Sequence, residues 1–202
     1  MYRGILIVVF VTDFLISAYY RRKAKKSGRA ISRKEEGSAA LAARLAVALP
    51  LYGSLIAWMI EPAWMQWAAL AVSEWIRFAG TILLIGTVPL TFWVMRTIGS
   101  NISETVLTKE EQKLVTTGPY RWIRHPLYTD GLLLFGGAVL VSGNWFLGAF
   151  TVLAGVAVLL FVIPKEEEQL IQTFGDQYVQ YRQQTGRLIP RLRRPGKRSD
   201  AG

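Results

Sequence analysis

The stretch whose reading decides the fold is LVTTGPYRWIRHPLY, residues 114–128, which runs into an apolar segment lasting to Phe161 and then into three carboxylates, Glu166, Glu167 and Glu168. It holds the only histidine of the chain, His125, between an arginine and a proline. A hydrocarbon layer about 30 Å thick takes about 20 helical residues to cross, so the segment Leu127 to Phe161 is too long for one crossing. Ser142-Gly143-Asn144 interrupts it near the middle and reads as a tight turn between two helices. A helical hairpin brings its two ends to the same side. The basic-aromatic stretch and the carboxylate block are therefore expected to be neighbours, although they are distant in sequence.

The rest of the chain repeats this alternation of apolar runs and charged joints. Gly4 to Tyr20 is apolar apart from Asp13 and is followed by Arg21-Arg22-Lys23-Ala24-Lys25-Lys26. With no basic region before it and no small-residue cleavage site after it, this run reads as a retained membrane helix. A carboxylate near the bilayer centre costs about 2.5–3.5 kcal/mol on insertion scales, so Asp13 is expected to face other helices. Ala39 to Ile60 makes a second crossing, with Pro50 predicted to kink it. Ala63 to Glu74 is too short to cross, and Trp64, Trp67 and the following Trp75 suit a membrane-water interface. Trp75 to Ile98 makes a third crossing with Pro89 inside it. A polar loop, Gly99 to His125, carries Glu104, Lys109, Glu110, Glu111 and Lys113.

The expected crossings are thus 4–20, 39–60, 75–98, 127–141 and 145–163, all in one membrane domain spanning 1–202. Of the 24 Lys and Arg residues, 22 fall in segments 21–44, 96–125 and 165–202, leaving only Arg3 and Arg77. Five crossings place those three segments on one face, whereas four or six would split them. The positive-inside rule makes that face cytoplasmic and leaves the N-terminus outside.

Composition closes off other classes. The net charge of +10 flanks apolar runs instead of forming a separate basic-aromatic face, which argues against nucleic acid as a partner. With no cysteine and one histidine, the chain lacks the means for disulfides, cysteine nucleophiles or a His-rich metal cluster, and no metal is expected.

For the candidate site residues, ordinary roles stand beside functional ones. Acidic residues suit a helix start, and Leu170, Ile171, Phe174, Tyr178 and Tyr181 continue Glu166-Glu167-Glu168 at helical spacing. Arg121 and Arg124 lie one helical turn apart and would equally anchor lipid headgroups. His125 precedes a proline and so sits at a helix boundary. A cationic, zwitterionic molecule of the S-adenosylmethionine type is one that could sit between the carboxylates and Arg121, Arg124 and His125. It would call for carboxylates for an ammonium group and for apolar walls. No nucleophile–base pair or glycine-rich phosphate loop stands out.

At this point the residues carry a resemblance. Leu114-Val115, Gly118-Pro119-Tyr120-Arg121, Arg124-His125-Pro126, Tyr128, then Glu166-Glu167, then Phe174-Gly175 with Tyr178 and Tyr181, resemble the isoprenylcysteine carboxyl methyltransferase family. More broadly the pattern is similar to membrane methyltransferases acting on phospholipids or a thiol. The resemblance covers about residues 75–190. It implies an all-α membrane bundle of about five helices with a C-terminal cytosolic helical cap over S-adenosylmethionine, bound within about 100–190. It implies cofactor contacts at Gly118, Tyr120, His125, Pro126, Tyr128, Glu166 and Glu167, and substrate orientation by Arg121 and Arg124. It implies a lipophilic acceptor entering from the bilayer, most readily a carboxylate; phospholipid N-methylation and small-thiol S-methylation are the alternatives. Members acting on prenylated cysteine tend to carry an arginine where this chain has Val162, and Arg121, Arg187 or Arg191 are the available substitutes. The competing class is a scaffold or permeation protein with Asp13 and Asp130 along an intramembrane path.

Overall fold

The structure, a computed structural model, describes residues 1–26, 38–99 and 114–191. The linker 27–37, loop residues 100–113 with Glu104, Lys109, Glu110, Glu111 and Lys113, and the basic tail 192–202 lie outside the described residues, as does that part of the expected cofactor region.

The described chain is helical, with only two isolated β-bridges. Its helices are α1 (Tyr2–Lys26), α2 (Ser38–Ile60), α3 (Glu74–Ile98), α4 (Pro126–Ser142), α5 (Trp145–Ala157), α6 (Ile163–Phe174) and α7 (Asp176–Gln184). Short 3₁₀ turns occupy Pro62–Ala68 and Gly118–Arg121. Local chemistry sets these boundaries. Pro126 opens α4 at a position where its missing N–H costs nothing. Gly143 closes α4 at φ +63°, a left-handed conformation natural to glycine, and a Cβ there would stand 2.8 Å from Val72 Cγ2. Asn144 then caps α5, its side chain accepting from the Leu147 N–H at 2.8 Å. The Ser-Gly-Asn interruption is therefore a C-cap, turn and N-cap in succession.

Pro50 lies inside α2, which runs on through it as a helix. One local expectation changes. The three glutamates do not start a helix: α5 continues through a π turn at Val158–Val162 directly into α6. The result is one 30-residue helix, Trp145–Phe174.

The first five helices alternate in direction. At one end, Tyr2 donates to Glu74 at 2.8 Å, Arg3 Nε to the Met59 carbonyl at 2.7 Å, and the Leu70 N–H to the Gly143 carbonyl at 2.6 Å. At the other end, Ala24 packs with Met95 and Leu127, and the rings of Trp93 and Trp122 meet edge to face at 5.8 Å. Between them lies a core built on Leu6, Leu55, Leu84, Val141 and Leu147. Asp13 and Asp130 are both buried and accept from Thr87 (3.1 Å) and Thr91 of α3, so each charged-type side chain faces another helix.

The outward surface is apolar. Phe14, Leu49, Val152 and Phe161 are each about two-thirds exposed, far more apolar surface than a water-soluble monomer presents. Tyr2–Ala24, Leu41–Ile60, Glu74–Ile98 and Trp145–Phe174 are long and apolar enough to cross a membrane by length and composition; Pro126–Ser142 is apolar and shorter. The fold is an all-helical membrane bundle.

Candidate active site

The end of the bundle that carries Ala24, Met95 and Leu127 also carries an ion-pair hub. At its centre is Glu167 of α6, 3% exposed. Its Oε1 accepts from Arg124 Nε at 2.9 Å and lies 3.2 Å from His125 Nε2, while its Oε2 accepts from Arg187 Nη2 at 3.3 Å. Arg124 spends Nη1 on the carbonyls of Arg182 (3.1 Å) and Thr185. Its side chain is nearly as buried as that of Glu167. A buried carboxylate is tolerable only when its lone pairs and charge are matched, and here a guanidinium, an imidazole and a second guanidinium do so.

The segment after α7 straps this hub in place. The Arg124 and His125 N–H groups donate to the carbonyls of Gly186 (2.9 Å) and Arg187 (3.1 Å), and the Gly186 N–H returns a bond to Trp122. Tyr181 donates its hydroxyl to the Tyr120 carbonyl at 2.6 Å, and Thr129 donates to Leu188 at 2.7 Å. Gly186 is obligatory: a Cβ there would fall 1.7 Å from the Ile189 carbonyl oxygen.

Glu166 is placed differently. Its side chain is 33% exposed and its Oε2 lies 3.6 Å from His125 Nδ1, too far for a hydrogen bond. Within the described structure, Glu166 Oε2, Gln169 Oε1 and the Tyr178 hydroxyl are buried with no hydrogen-bond partner. A buried polar atom left unmade costs about 1–3 kcal/mol, so such atoms mark places where a ligand has something to satisfy. Tyr128 stacks on His125, with ring centroids 5.8 Å apart.

His125 is under opposing influences. Burial pushes its pKa down, but the carboxylates of Glu166 and Glu167 outweigh this and raise it above the ordinary value of 6.5. A raised folded pKa means stability that is fully present below pH 6.5 and lost as pH climbs through the folded value. The unfolding temperature of detergent-purified protein is expected to fall steadily from pH 6.5 to the alkaline side. His125→Gln should flatten that slope; an unchanged slope would remove His125 as its source.

The structure thus brings together Arg124, His125, Pro126, Tyr128, Glu166 and Glu167, with Tyr120 buried beneath them. It separates two other residues. Arg121 is exposed, its guanidinium 5.6 Å from the Trp122 ring. Gly118 takes φ +57° and packs against α3, where a Cβ would meet Thr97 Oγ1 at 2.7 Å, so its close approach is to the bundle itself. Sequence reasoning missed Arg187 as a hub member and the whole strap. Gly186, five residues after Tyr181, was the available signal for a tight turn there.

A charged hub closing one end of an apolar helical bundle defines an integral-membrane protein with a built site at its polar edge. Residues 75–177, just over half of the chain, match the family model described as phospholipid methyltransferase, and the chain belongs to that family. The chain is 29% identical over 126 residues to protein-S-isoprenylcysteine O-methyltransferase of Rattus norvegicus, covering 61% of this chain and 44% of that one. It is 38% identical over 73 residues to methanethiol S-methyltransferase 1 of Bradyrhizobium diazoefficiens, covering 35% and 24%. The chain therefore spans less than half the length of either relative. The solved eukaryotic intramembrane Ras methyltransferase, isoprenylcysteine carboxyl methyltransferase, shares the fold, with TM-score 0.57 and 24% identity over 92% of this chain and 67% of that one.

Proposed function

We propose that this protein transfers a methyl group from S-adenosylmethionine to a membrane-partitioning acceptor, most readily a carboxylate, at the hub end of the bundle. The observation that carries the reading is the buried Oε2 of Glu166, which makes no hydrogen bond and lies 3.6 Å from His125, beside a hub in which both oxygens of Glu167 are engaged.

Bound S-adenosylmethionine supplies an electrophilic methyl group on a sulfonium. The residues around it divide the remaining work. Glu166 offers the ammonium group an acceptor atom that makes no hydrogen bond, and the Tyr178 hydroxyl and Gln169 side-chain carbonyl are further buried polar atoms without one on α7 and α6. Tyr128, stacked on His125, supplies an aromatic wall, and Tyr120 and Pro126 close the floor. Glu167 is a positioning residue: it fixes Arg124 and His125 and has no oxygen to spare. Arg124 likewise has two of its three nitrogens committed and holds the strap in place of a substrate.

The same accounting favours a carboxylate acceptor. An amine or thiol must lose a proton, and His125, the natural base, is flanked by carboxylates on both ring nitrogens and holds its own proton more tightly than usual. A carboxylate is ionised at neutral pH and needs only to be placed in line, about 3–3.5 Å from the methyl carbon. The relatives named for O-methylation agree with this choice.

The five alternating helices form one membrane domain with five crossings, α6 and α7 cap the site, and the acceptor enters sideways from lipid. Arg21, Arg22, Lys23, Arg96 and Arg124 gather at the hub end, so that end faces the cytoplasm and the N-terminus lies outside.

Titration calorimetry with S-adenosylmethionine on detergent-purified protein tests the reading. Saturable binding is expected, weakened about 10- to 100-fold in Glu166→Gln, the loss of one charge-assisted hydrogen bond. Wild-type affinity in Glu166→Gln, or no binding by folded protein in lipid, would sink it. Labelled methyl donor offered to amphiphilic carboxylates, phospholipid amines and thiols then identifies the acceptor.

A further inference from the structure

The apolar interior of the bundle encloses two carboxyl groups that methyl transfer does not use. Asp13 of α1 and Asp130 of α4 are 4% and 5% exposed, and both turn to α3, where Thr87 and Thr91 lie one helical turn apart. Each carboxyl group spends its Oδ2 on a threonine. The Oδ1 atoms of both are buried and make no hydrogen bond. The two carboxyl groups also act on each other electrostatically, and Thr91 interacts with Asp13 as well as with Asp130.

Positive charge is short here. Thr87 has one hydroxyl proton for two acceptors, the Leu84 carbonyl at 2.7 Å and Asp13 Oδ2 at 3.1 Å, so the nearer carbonyl takes the larger share. Thr91 has a single proton to give Asp130. No Lys, Arg or His stands between Arg3 and Arg21 on α1, after Arg44 on α2, between Arg77 and Arg96 on α3, or from Pro126 to Pro164 along α4 and α5. The other titratable groups along these stretches are tyrosines, Tyr19, Tyr20, Tyr52 and Tyr128, which carry no charge at neutral pH. The hub shows the contrast, since its buried Glu167 is answered by two guanidiniums and an imidazole. Carboxylates inside a membrane bundle call for a partner of opposite charge, and this chain supplies none.

The donor set limits what the partner can be. Calcium gathers six to eight oxygens, and magnesium keeps several waters. Two carboxyl groups and two hydroxyls in apolar surroundings offer neither shell. A small single charge is what remains. We propose that Asp13 and Asp130, with Thr87 and Thr91, form a buried site for one small monovalent cation, a proton or a sodium ion. Either species brings the positive charge that the two Oδ1 atoms lack. Its binding fastens α1 to α4, the helix whose N-cap is His125.

The test uses full-length protein in an uncharged detergent. Unfolding temperature is measured at one fixed pH in sodium chloride and in choline chloride of equal ionic strength. Infrared spectra at neutral pH, with and without isotope-labelled aspartate, read the carbonyl stretch of a protonated carboxyl group. Labelling moves that band only if an aspartate carries it, and among the described residues Asp13 and Asp130 are the buried aspartates. A sodium site is expected to raise the unfolding temperature by about 5–10 °C at about 100 times the Kd for sodium, with the rise lost in Asp13→Asn and in Asp130→Asn. A proton site gives equal unfolding temperatures in the two salts and a label-sensitive band in the wild type that disappears from the doubly substituted protein. Absence of both the sodium-specific rise and the label-sensitive band from the wild type would overturn the proposal, whether or not the variants fold. Neither readout involves the methyl donor, so its failure leaves the methyltransferase reading standing.

Discussion

Glu167→Ala is expected to destabilise the protein by about 3–5 kcal/mol, the cost of removing one partner from a buried charge cluster. Arg124 is nearly as buried as the carboxylate it faces, and its Nη1 is fixed on two main-chain carbonyls, so it is held in place when Glu167 is lost. His125 and Arg187 are left without their counter-charge in the same step. For a chain of this size such a loss corresponds to roughly 10 °C in unfolding temperature, readable by differential scanning fluorimetry in detergent. The neighbouring Glu166→Ala should shift that temperature by no more than about 2 °C, because its side chain is one-third exposed and its Oε2 makes no hydrogen bond, while donor binding falls. Two adjacent glutamates thus separate stability from ligand affinity. If both variants lost stability equally, the division of labour proposed here would be wrong.

The second large effect lies in the bundle. Gly137→Val is expected to cost at least about 1–3 kcal/mol through overpacking and to impair methyl transfer as well. A Cβ at Gly137 would stand 2.8 Å from Leu84 Cγ and 3.1 Å from the Gly80 carbonyl; one at Gly80 would stand 2.6 Å from Leu140 Cβ. Backbone meets backbone where α3 crosses α4, the close approach that small residues permit between membrane helices. Forcing the helices apart pulls Thr91 from Asp130 and shifts the first turn of α4, which Pro126 begins and which holds His125 against Glu167. Gly131→Ala and Gly136→Ala make the control, since nothing lies within 4 Å of either new Cβ. Thermal unfolding of the four proteins should leave these two unchanged or slightly stabilised, and a Gly137→Val protein as stable as its parent would disprove the tight crossing.

Periodicity and charge placement made the bundle legible in the sequence. Apolar runs of crossing length mark the helices, and the Ser142-Gly143-Asn144 break marks the hairpin that carries the chain from His125 back to Glu166. What the sequence did not show follows from physics that has no period. Arg187 reaches Glu167 through a strap whose bonds are main-chain pairings with residues 122–125, and these leave no residue-type signature apart from Gly186. Arg121 and Arg124 look equivalent as letters, yet the 3₁₀ turn ends between them and sends one to solvent and the other into the hub. The three consecutive glutamates are likewise identical on paper.

What distinguishes them is the wide turn at Val158–Val162. A π turn absorbs one additional residue without advancing the spiral, so every residue beyond it occupies the direction that its predecessor would have held in an uninterrupted helix. Read straight through, Glu166 would take the seat of Glu167, and Glu167 would turn toward the exposed position of Glu168. The turn therefore works as a reading frame, selecting which letter of a repeated acidic word is buried among the arginines and which is presented at the site. Single-residue insertions or deletions in this apolar segment are, on this view, the mutations that would exchange those roles without altering one glutamate.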